Sequence, residues 1–516
     1  MENKRESVLK GIISLLISQV FIKIIGLIYK LYLTNREGFG DSGNAIYSSG
    51  FQIYALLLTF SSTGVPNAIS YLVSERLAVG DNKGAHKIFK IAFVTFALIG
   101  IMGSLLLFAG AETISNKWIQ IPEAKYSLIA LSPSIFFVSI TSVIRGYFNG
   151  RQSFSVTAKS QTIEQIFKTV FTVSLVELVV ILGKQNTEIM AASANMATTV
   201  ATVSSFIYIF IYYRTKRKEI GQEIFETVNY KPTRIRKTLK KIINVAIPIS
   251  ISSLISSFGK NIDSFTIVRF LKNYLTEQEA KIQYGILSGK IDSLCSLPFA
   301  FNVAFVTTLV PSISKSMAKG DLEEVAKKAE KYILISILIA FPIASTMFMY
   351  PNEILKILFP NAPSGAMYLK ISSITIVFML LAQTINGVLQ GIGKVNIPAI
   401  SFGIGMIVKF LCNIILIPNK QIGIYGAIIG NILCNILACI ISSCVLIKNI
   451  KLKINLKKLM IKPLLATICM NIISIVLYNN LKCIKSGYLA IIVTLMVSYL
   501  IYLILIIIFK IYPLKK

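Results

Sequence analysis

Apolar stretches long enough to cross a bilayer recur fourteen times along this chain. A helix rises about 1.5 Å per residue and the hydrocarbon core is about 30 Å thick, so one crossing needs about 20 mostly apolar residues. The stretches cover about 8–33, 45–73, 88–111, 126–146, 156–183, 189–213, 242–271, 284–313, 332–350, 364–391, 395–416, 423–447, 461–481 and 486–509. Backbone groups in lipid have no water to bond to, so such stretches must be helices. The expected fold class is an all-α polytopic membrane protein with fourteen transmembrane helices. Pro66, Pro133, Pro248, Pro298, Pro311, Pro342 and Pro398 fall inside the stretches and predict kinks or interruptions.

Composition excludes the competing classes. Hydrophobic residues make up 54% and charged residues 15% of the 516, and mean hydropathy is +0.70. Soluble domains carry about 25% charged residues. A soluble enzyme, a disordered chain and a disulfide-stapled protein are therefore ruled out. His86 is the one histidine, and there is no Cys-x-x-Cys or His-x-x-x-His pair, so no metal centre and no cofactor are expected. The seven cysteines all follow residue 290, mostly in apolar runs, and read as buried free thiols. No G-x-x-x-x-G-K-[ST] loop is present, so no nucleotide is expected. Lys23 interrupts the first apolar run and no A-x-A-like site follows it, so the first helix is expected to be retained.

Loop charge tests the count of crossings. The loops on the side of both termini hold 34 Lys and Arg, and the opposite loops hold 10. The positive-inside rule then places both termini in the cytoplasm of a plasma-membrane protein. The basic residues are scattered over many short loops, which argues against a nucleic-acid partner.

The two halves echo each other. Val65-Pro66 leads to Ala78-x-Gly80-Asp81, and Val310-Pro311 to Ala318-x-Gly320-Asp321. Arg145-Gly146-Tyr147-Phe148-Asn149-Gly150 matches Asn386-Gly387-Val388-Leu389-Gln390-Gly391. The same offset of 241 pairs Ala158 with Ala399 and Lys168 with Lys409. Six crossings per half return the chain to its starting side, so the halves form a parallel repeat. The expected organisation is an amino-terminal six-helix lobe over 1–213 and a basic cytoplasmic linker over 214–241. A second six-helix lobe covers 242–447, and a basic loop with two further helices covers 448–516.

With Lys90, Arg145, Lys159 and Lys462, at stretch ends, counted in the loops 75–90, 145–159 and 448–462, nine basic residues remain within the stretches, against four acids. A charge at the bilayer centre costs at least about 2.5–3.5 kcal/mol, so these groups are expected to face a wet cavity or one another. Lys23, Lys30, Lys168, Lys260, Arg269, Lys290 and Lys409 are the candidate substrate-binding cations. Lys10 and Lys370, near stretch ends, complete the nine. Glu164, Asp263 and Asp292 are the candidates for ion coupling or charge pairing, and Glu177 is the fourth acid. Lys260 with Asp263, three apart, and Glu164 with Lys168, four apart, are possible pairs along their helices. A surplus of positive charge suits an anionic passenger.

Specific residues extend this reading. Gly64-Val65-Pro66-x-Ala68-Ile69-Ser70, then Arg145-Gly146-Tyr147-Phe148-x-Gly150 followed by Thr157-Ala158-x-Ser160-Gln161-x-x-Glu164-Gln165, and Ala246-Ile247-Pro248 before Ile262-Asp263-Ser264, resemble the stage V sporulation protein B family. This is a polysaccharide-transport branch of the multidrug/oligosaccharidyl-lipid/polysaccharide exporter superfamily, related to lipid II flippases. The resemblance spans the whole chain and marks Gly26, Pro66, Arg145, Gly146, Gln161 and Gln165 as family-motif positions. Lys23-Ile24-Ile25-Gly26 carries Lys where the family has Arg, and Val156 stands in place of the usual Pro. The resemblance implies two six-helix lobes around a cationic cavity, with two extra helices forming a groove for a lipid tail.

The expected function is that of a flippase for an undecaprenyl-pyrophosphate-linked peptidoglycan precursor or a related lipid-linked sugar, working by alternating access. Its expected partners are the lipid-linked oligosaccharide, the bilayer and cell-wall synthesis enzymes. The alternatives are a cation-coupled multidrug antiporter of the same superfamily and a non-transporting scaffold for cell-wall or spore-cortex synthesis. An enzyme is not expected, because no Asp/Glu/His cluster is present.

Overall fold

The computed structural model describes residues 8–59, 64–183, 186–225, 227, 230, 234–450, 457–484, 487–509 and 511. Every regular element among them is a helix. The chain divides into two compact units, Met1–Gly285 and Ile286–Lys516.

The first unit contains α1 (Val8–Asn35), α2 (Gly40–Thr59), α3 (Val65–Ala78), α4 (Asn82–Thr113, extended by a π-turn to Ile119) and α5 (Ala124–Gly150). It continues with α6 (Phe154–Ile181), α7 (Thr187–Phe225), α8 (Ile235–Leu271) and α9 (Glu277–Gly285). Besides the sequence expected for the first lobe, this unit therefore holds the linker region, α8 and α9. Lys241 of α8 pairs with Glu75 of α3 at 2.8 Å. Lys281 of α9 pairs with Glu123, just before α5. A Cβ on Gly285 would come within 3.0 Å of the Asp41 carbonyl carbon at the start of α2, so α9 ends flush against that helix.

The second unit begins with a π-turn at Ile286–Ile291. It continues with α10 (Asp292–Ala318), α11 (Leu322–Met349), the short α12 (Pro351–Leu358), α13 (Ala366–Gly391), α14 (Ile397–Leu416) and α15 (Tyr425–Ile450). It ends with α16 (Lys462–Ile484) and α17 (Gly487–Ile508). These last two contribute Ala466, Met470 and Tyr502 to the same buried cluster as Ile333, Ile337 and Val388.

Ten helices among the described residues are long and apolar enough to cross a membrane. Four expected crossings fall outside that set: 45–73, 156–183, 242–271 and 284–313. The first is divided between α2 and α3, with 60–63 outside the described residues. The second, α6, carries Lys159, Glu164, Lys168 and Glu177, so its composition is not that of a helix facing lipid all round.

The prolines do not all act as expected. Pro66 and Pro398 occupy the first turns of α3 and α14, where a missing N–H leaves no bond unmade. Pro133 and Pro342 lie within helices that continue through them.

The echoed motifs fold alike within each unit. Gly80 has φ +76°, a conformation side chains resist, and Asp81 then caps α4 by accepting from the Gly84 N–H at 2.7 Å. Gly320 has φ +73°, and Asp321 caps α11 through the Glu324 N–H at 2.8 Å. A Cβ on Gly146 of α5 would lie 2.8 Å from the Pro66 carbonyl oxygen on α3. A Cβ on Gly387 of α13 would lie 2.6 Å from a Val306 methyl on α10. Small residues let these helix pairs approach closely.

Candidate functional site

The first unit carries a polar seam along α1 and α6. Successive turns of α1 give it distinct faces. Ile17, Phe21, Ile24 and Ile28 are exposed along one face, and Ser18, Tyr29 and Leu33 are buried on the next. Gln19, Lys23, Gly26 and Lys30 share a third stripe, on which Lys23 is exposed and Lys30 half-buried. Helix α6 is divided similarly. Ile166 and Val170 are exposed on one side, and Gln161, Gln165, Lys168 and Thr172 line the other. The polar sides interlock. Gln19 Nε2 donates to Gln161 Oε1 at 2.9 Å, and the hydroxyls of Ser18 and Thr162 are 2.7 Å apart. A Cβ on Gly26 would lie 3.6 Å from the Gln165 amide nitrogen. At the far end, Arg36 meets Glu177 at 2.9 Å, and Tyr32 also donates to Glu177.

Arg145 is the fixed point of this seam. It lies within the last two turns of α5 and is 7% exposed, although the loop tally places it at the cytoplasmic edge. Its Nη2 donates to Ser205 Oγ and to Glu164 Oε2, each at 2.8 Å, and Ser160 Oγ lies 3.2 Å from Nε and 2.9 Å from Nη2. One guanidinium thus ties α5, α6 and α7 together. A buried arginine needs this many acceptors because desolvation is otherwise uncompensated. Glu164 therefore pairs across helices with Arg145, in place of the pairing with Lys168 along α6 that its spacing suggests.

Lys168 goes to aromatic rings. Its ammonium is 4.1 Å from the centroid of Phe51 and 5.3 Å from that of Tyr29. The residue is 7% exposed, and no ion pair reaches it among the described residues. A cation over a ring face gains up to about 2 kcal/mol when desolvated, which only partly offsets burial. The arrangement leaves a positive charge without a matching negative one.

The second unit repeats the three-helix junction with neutral chemistry. Ser442 Oγ of α15 lies 2.8 Å from Asn386 Oδ1 of α13 and 3.1 Å from Ser401 Oγ of α14. Asn386 and Ser401 stand 241 residues after Arg145 and Ser160. Lys409 is 3% exposed on α14, with Asn413 buried one turn on. A second network joins Asn302 Nδ2 to Gln383 at 2.8 Å and to Thr384 at 3.0 Å, with Ser336 bonded to Asn302 at 2.9 Å. Nothing in the motif spacing pointed to it.

The remaining predicted residues fall in varied places. Lys290 is fully buried, and its ammonium donates to the carbonyls of Ala362 and Ser364 at 2.8 and 2.9 Å and to Ser364 Oγ at 3.0 Å. Here it anchors the loop before α13. Asp263 is 8% exposed, Asp292 is half-buried in the first turn of α10, and Arg269 is exposed. The side chain of Lys260 lies outside the described residues, and so does its expected pairing with Asp263. Lys10 likewise has no described side chain, and Lys370 sits 4.9 Å over the Phe348 ring. No cluster of three metal-ligating side chains occurs among the described residues.

Residues 8–317 match the family described as polysaccharide biosynthesis protein, and residues 288–415 match the MatE family. Stage V sporulation protein B of Bacillus subtilis (strain 168) is 22% identical over 468 residues, covering 90% of this chain and 88% of that protein. Lipid II flippase MurJ of the same organism is 25% identical over 446 residues, covering 82% of this chain and 80% of that protein. Among solved structures, lipid II flippase MurJ in an inward closed conformation has a TM-score of 0.69 at 17% identity, over 96% of this chain and 99% of that chain. An inward-facing MATE family transporter of the MOP superfamily has a TM-score of 0.70 at 15% identity, over 84% of this chain and 98% of that chain. At such identities the structural likeness establishes the fold.

Proposed function

The chain belongs to the polysaccharide biosynthesis protein family, and from that premise we propose that it is a flippase for a lipid-linked sugar. The passenger is an undecaprenyl-pyrophosphate-linked peptidoglycan precursor or a related polysaccharide unit, moved across the cytoplasmic membrane by alternating access. The reading takes the chain as fourteen crossings with both termini in the cytoplasm. Six-helix lobes over 1–213 and 242–447 are related as a parallel repeat and rock about the passenger.

The observation that supports it best is Lys168. Its buried ammonium rests on Phe51 and Tyr29 without an acidic partner among the described residues, on the polar side of α6. Lys23 and Lys30 share a stripe of the neighbouring α1. Such a seam is complementary to a pyrophosphate, whose oxygens make stronger charge-assisted bonds than neutral acceptors do. The polyprenyl tail stays in lipid while the head group crosses. Arg145 and Glu164 neutralise each other, so their role is to hold α5, α6 and α7 in register. Asp263 and Asp292 are the candidate acids for coupling to an ion gradient.

The MatE match over 288–415 favours one second reading, a cation-coupled multidrug antiporter. Reconstitution in vesicles separates the two. Fluorescent lipid II should become accessible in the opposite leaflet, and Lys168→Gln should slow this at equal protein level. Proton-driven export of a cationic dye with no movement of lipid II would overturn the flippase reading. In cells, expression should restore growth after depletion of the resident lipid II flippase.

A further inference from the structure

Between α1, α6 and α7 the first unit contains a cavity of about 320 Å³, lined among others by Ile17, Phe21, Lys159, Thr162, Ile163 and Tyr208. It opens on the apolar side of α1 and α6 and borders the polar seam at Ser18 and Thr162, which also line it. Ile17 and Phe21 are exposed around it, and Ile166, Val170, Ile207 and Ile211 continue the exposed apolar faces of α6 and α7. An exposed apolar face of this kind suits contact with acyl chains.

The lining changes character with depth. Lys159 is in the second turn of α6, and Tyr208 is about two turns before the basic run Arg214–Lys218 on α7. Both therefore sit toward the end of the bundle that carries the basic loops. Ile163 is four residues further along α6, about 6 Å deeper at about 1.5 Å per residue, and Phe21 is likewise a turn beyond Ile17. The cavity thus carries its one charged lining residue, Lys159, near the interface, and Phe21 and Ile163 lie further toward the bilayer centre, beside the hydroxyls of Ser18 and Thr162.

Charge at the mouth is unbalanced. Lys159 is exposed and forms no ion pair among the described residues. Arg151, shortly before it in the chain, is matched by Glu223. An exposed Lys whose stem runs along apolar surface places its ammonium at the headgroup level.

We propose that this cavity is a binding site for an anionic two-chain phospholipid of the phosphatidylglycerol class. The lipid phosphodiester is held by Lys159 and the Tyr208 hydroxyl, and part of one acyl chain runs over Phe21 and Ile163. Because the mouth is at the basic end, the lipid comes from the cytoplasmic leaflet, where juxtamembrane lysines meet anionic head groups. The site depends on the proposed orientation only for the choice of leaflet and not on the passenger.

Native mass spectrometry of the full-length protein in neutral detergent tests it, with phosphatidylglycerol or phosphatidylethanolamine added. The wild type should retain one phosphatidylglycerol in preference to phosphatidylethanolamine. Lys159→Gln should reduce phosphatidylglycerol retention about fivefold, as expected for one interfacial lysine, and leave phosphatidylethanolamine unchanged. Ile163→Trp, which fills the cavity, should abolish retention of both. Lys218→Gln, in the nearby basic run, should have no effect. Wild-type retention of phosphatidylglycerol by Lys159→Gln would overturn the proposal. So would an equal loss in Lys218→Gln, because binding would then be diffuse attraction to the basic surface.

Discussion

Arg145 on α5 and Glu164 on α6 meet at 2.8 Å with side chains 8% and 25% exposed, and the same guanidinium also holds Ser160 and Ser205. Removing one member leaves the other charge stranded. Breaking such a buried pair costs about 3–5 kcal/mol. Arg145→Met should therefore lower thermal stability in detergent sharply, and Arg145→Met with Glu164→Gln should recover part of the loss. A double variant no more stable than Arg145→Met alone would show that the serine bonds, and not the ion pair, hold the junction.

Lys168 tests the passenger's charge. Lys168→Gln should weaken binding of a pyrophosphate-linked lipid very roughly 10- to 150-fold, the equivalent of about 1.5–3 kcal/mol for a bond to a charged group. Lys168→Arg should retain more activity than Lys168→Gln. Phe51→Leu removes the ring at 4.1 Å while leaving the charge, so it should alter stability more than affinity. Binding isotherms at matched protein level separate these outcomes, and unchanged affinity in Lys168→Gln would remove Lys168 from the site.

Orientation is checked at Lys218, an exposed position on the distal part of α7. With 34 of the loop basics on its side, a cysteine there should escape a membrane-impermeant thiol reagent in intact cells and react once the membrane is opened. Labelling in intact cells would reverse the topology.

Glu277 on α9 gives a pH dependence. Its carboxyl is held below the usual range chiefly because Lys281 donates to it. Partial burial pushes the other way, and Lys272 adds to the lowering. A depressed folded-state value stabilises the protein above the ordinary carboxylate pKa and is lost as pH falls through the depressed value. The side chain is 46% exposed, so screening keeps the effect small. Glu277→Gln should lower Tm slightly at pH 7, with the gap to wild type closing toward pH 3. A constant gap would assign the effect to packing.

Gly146 offers a steric test. Gly146→Val would drive a side chain into the Pro66 carbonyl, which a bare Cβ would already approach to 2.8 Å. It should reduce folded protein in the membrane severely. Gly221→Val, on open α7 surface, should be mild by the same expression assay.

The sequence made the helices, the charge asymmetry and the echoed motifs legible, because apolar length and loop charge are local properties. Gly80-Asp81 and Gly320-Asp321 could be read as a matched pair, and each proves to be a turn followed by a helix cap. Partnerships were harder. Spacing along α6 suggested Glu164 with Lys168, because a sequence displays neighbours on one helix and hides those on the next. Arg145 looked like a loop residue because it ends an apolar run, and only packing reveals Ser160, Glu164 and Ser205 around it. Lys290 read as a cavity cation, yet the loop carbonyls of Ala362 and Ser364 surround it, and an acceptor supplied by a backbone turn leaves no mark in composition.

The resting place of Lys168 bears on speed. An ammonium over a ring face is held by a broad, nearly non-directional attraction, unlike the forked bonds that fix Arg145. It can swing away by rotating its own side chain, and among the described residues no partner carboxylate is left stranded. A phosphate arriving in the seam would meet a cation that is already dehydrated and free to turn. Capture and release can then follow the pace of helix movement.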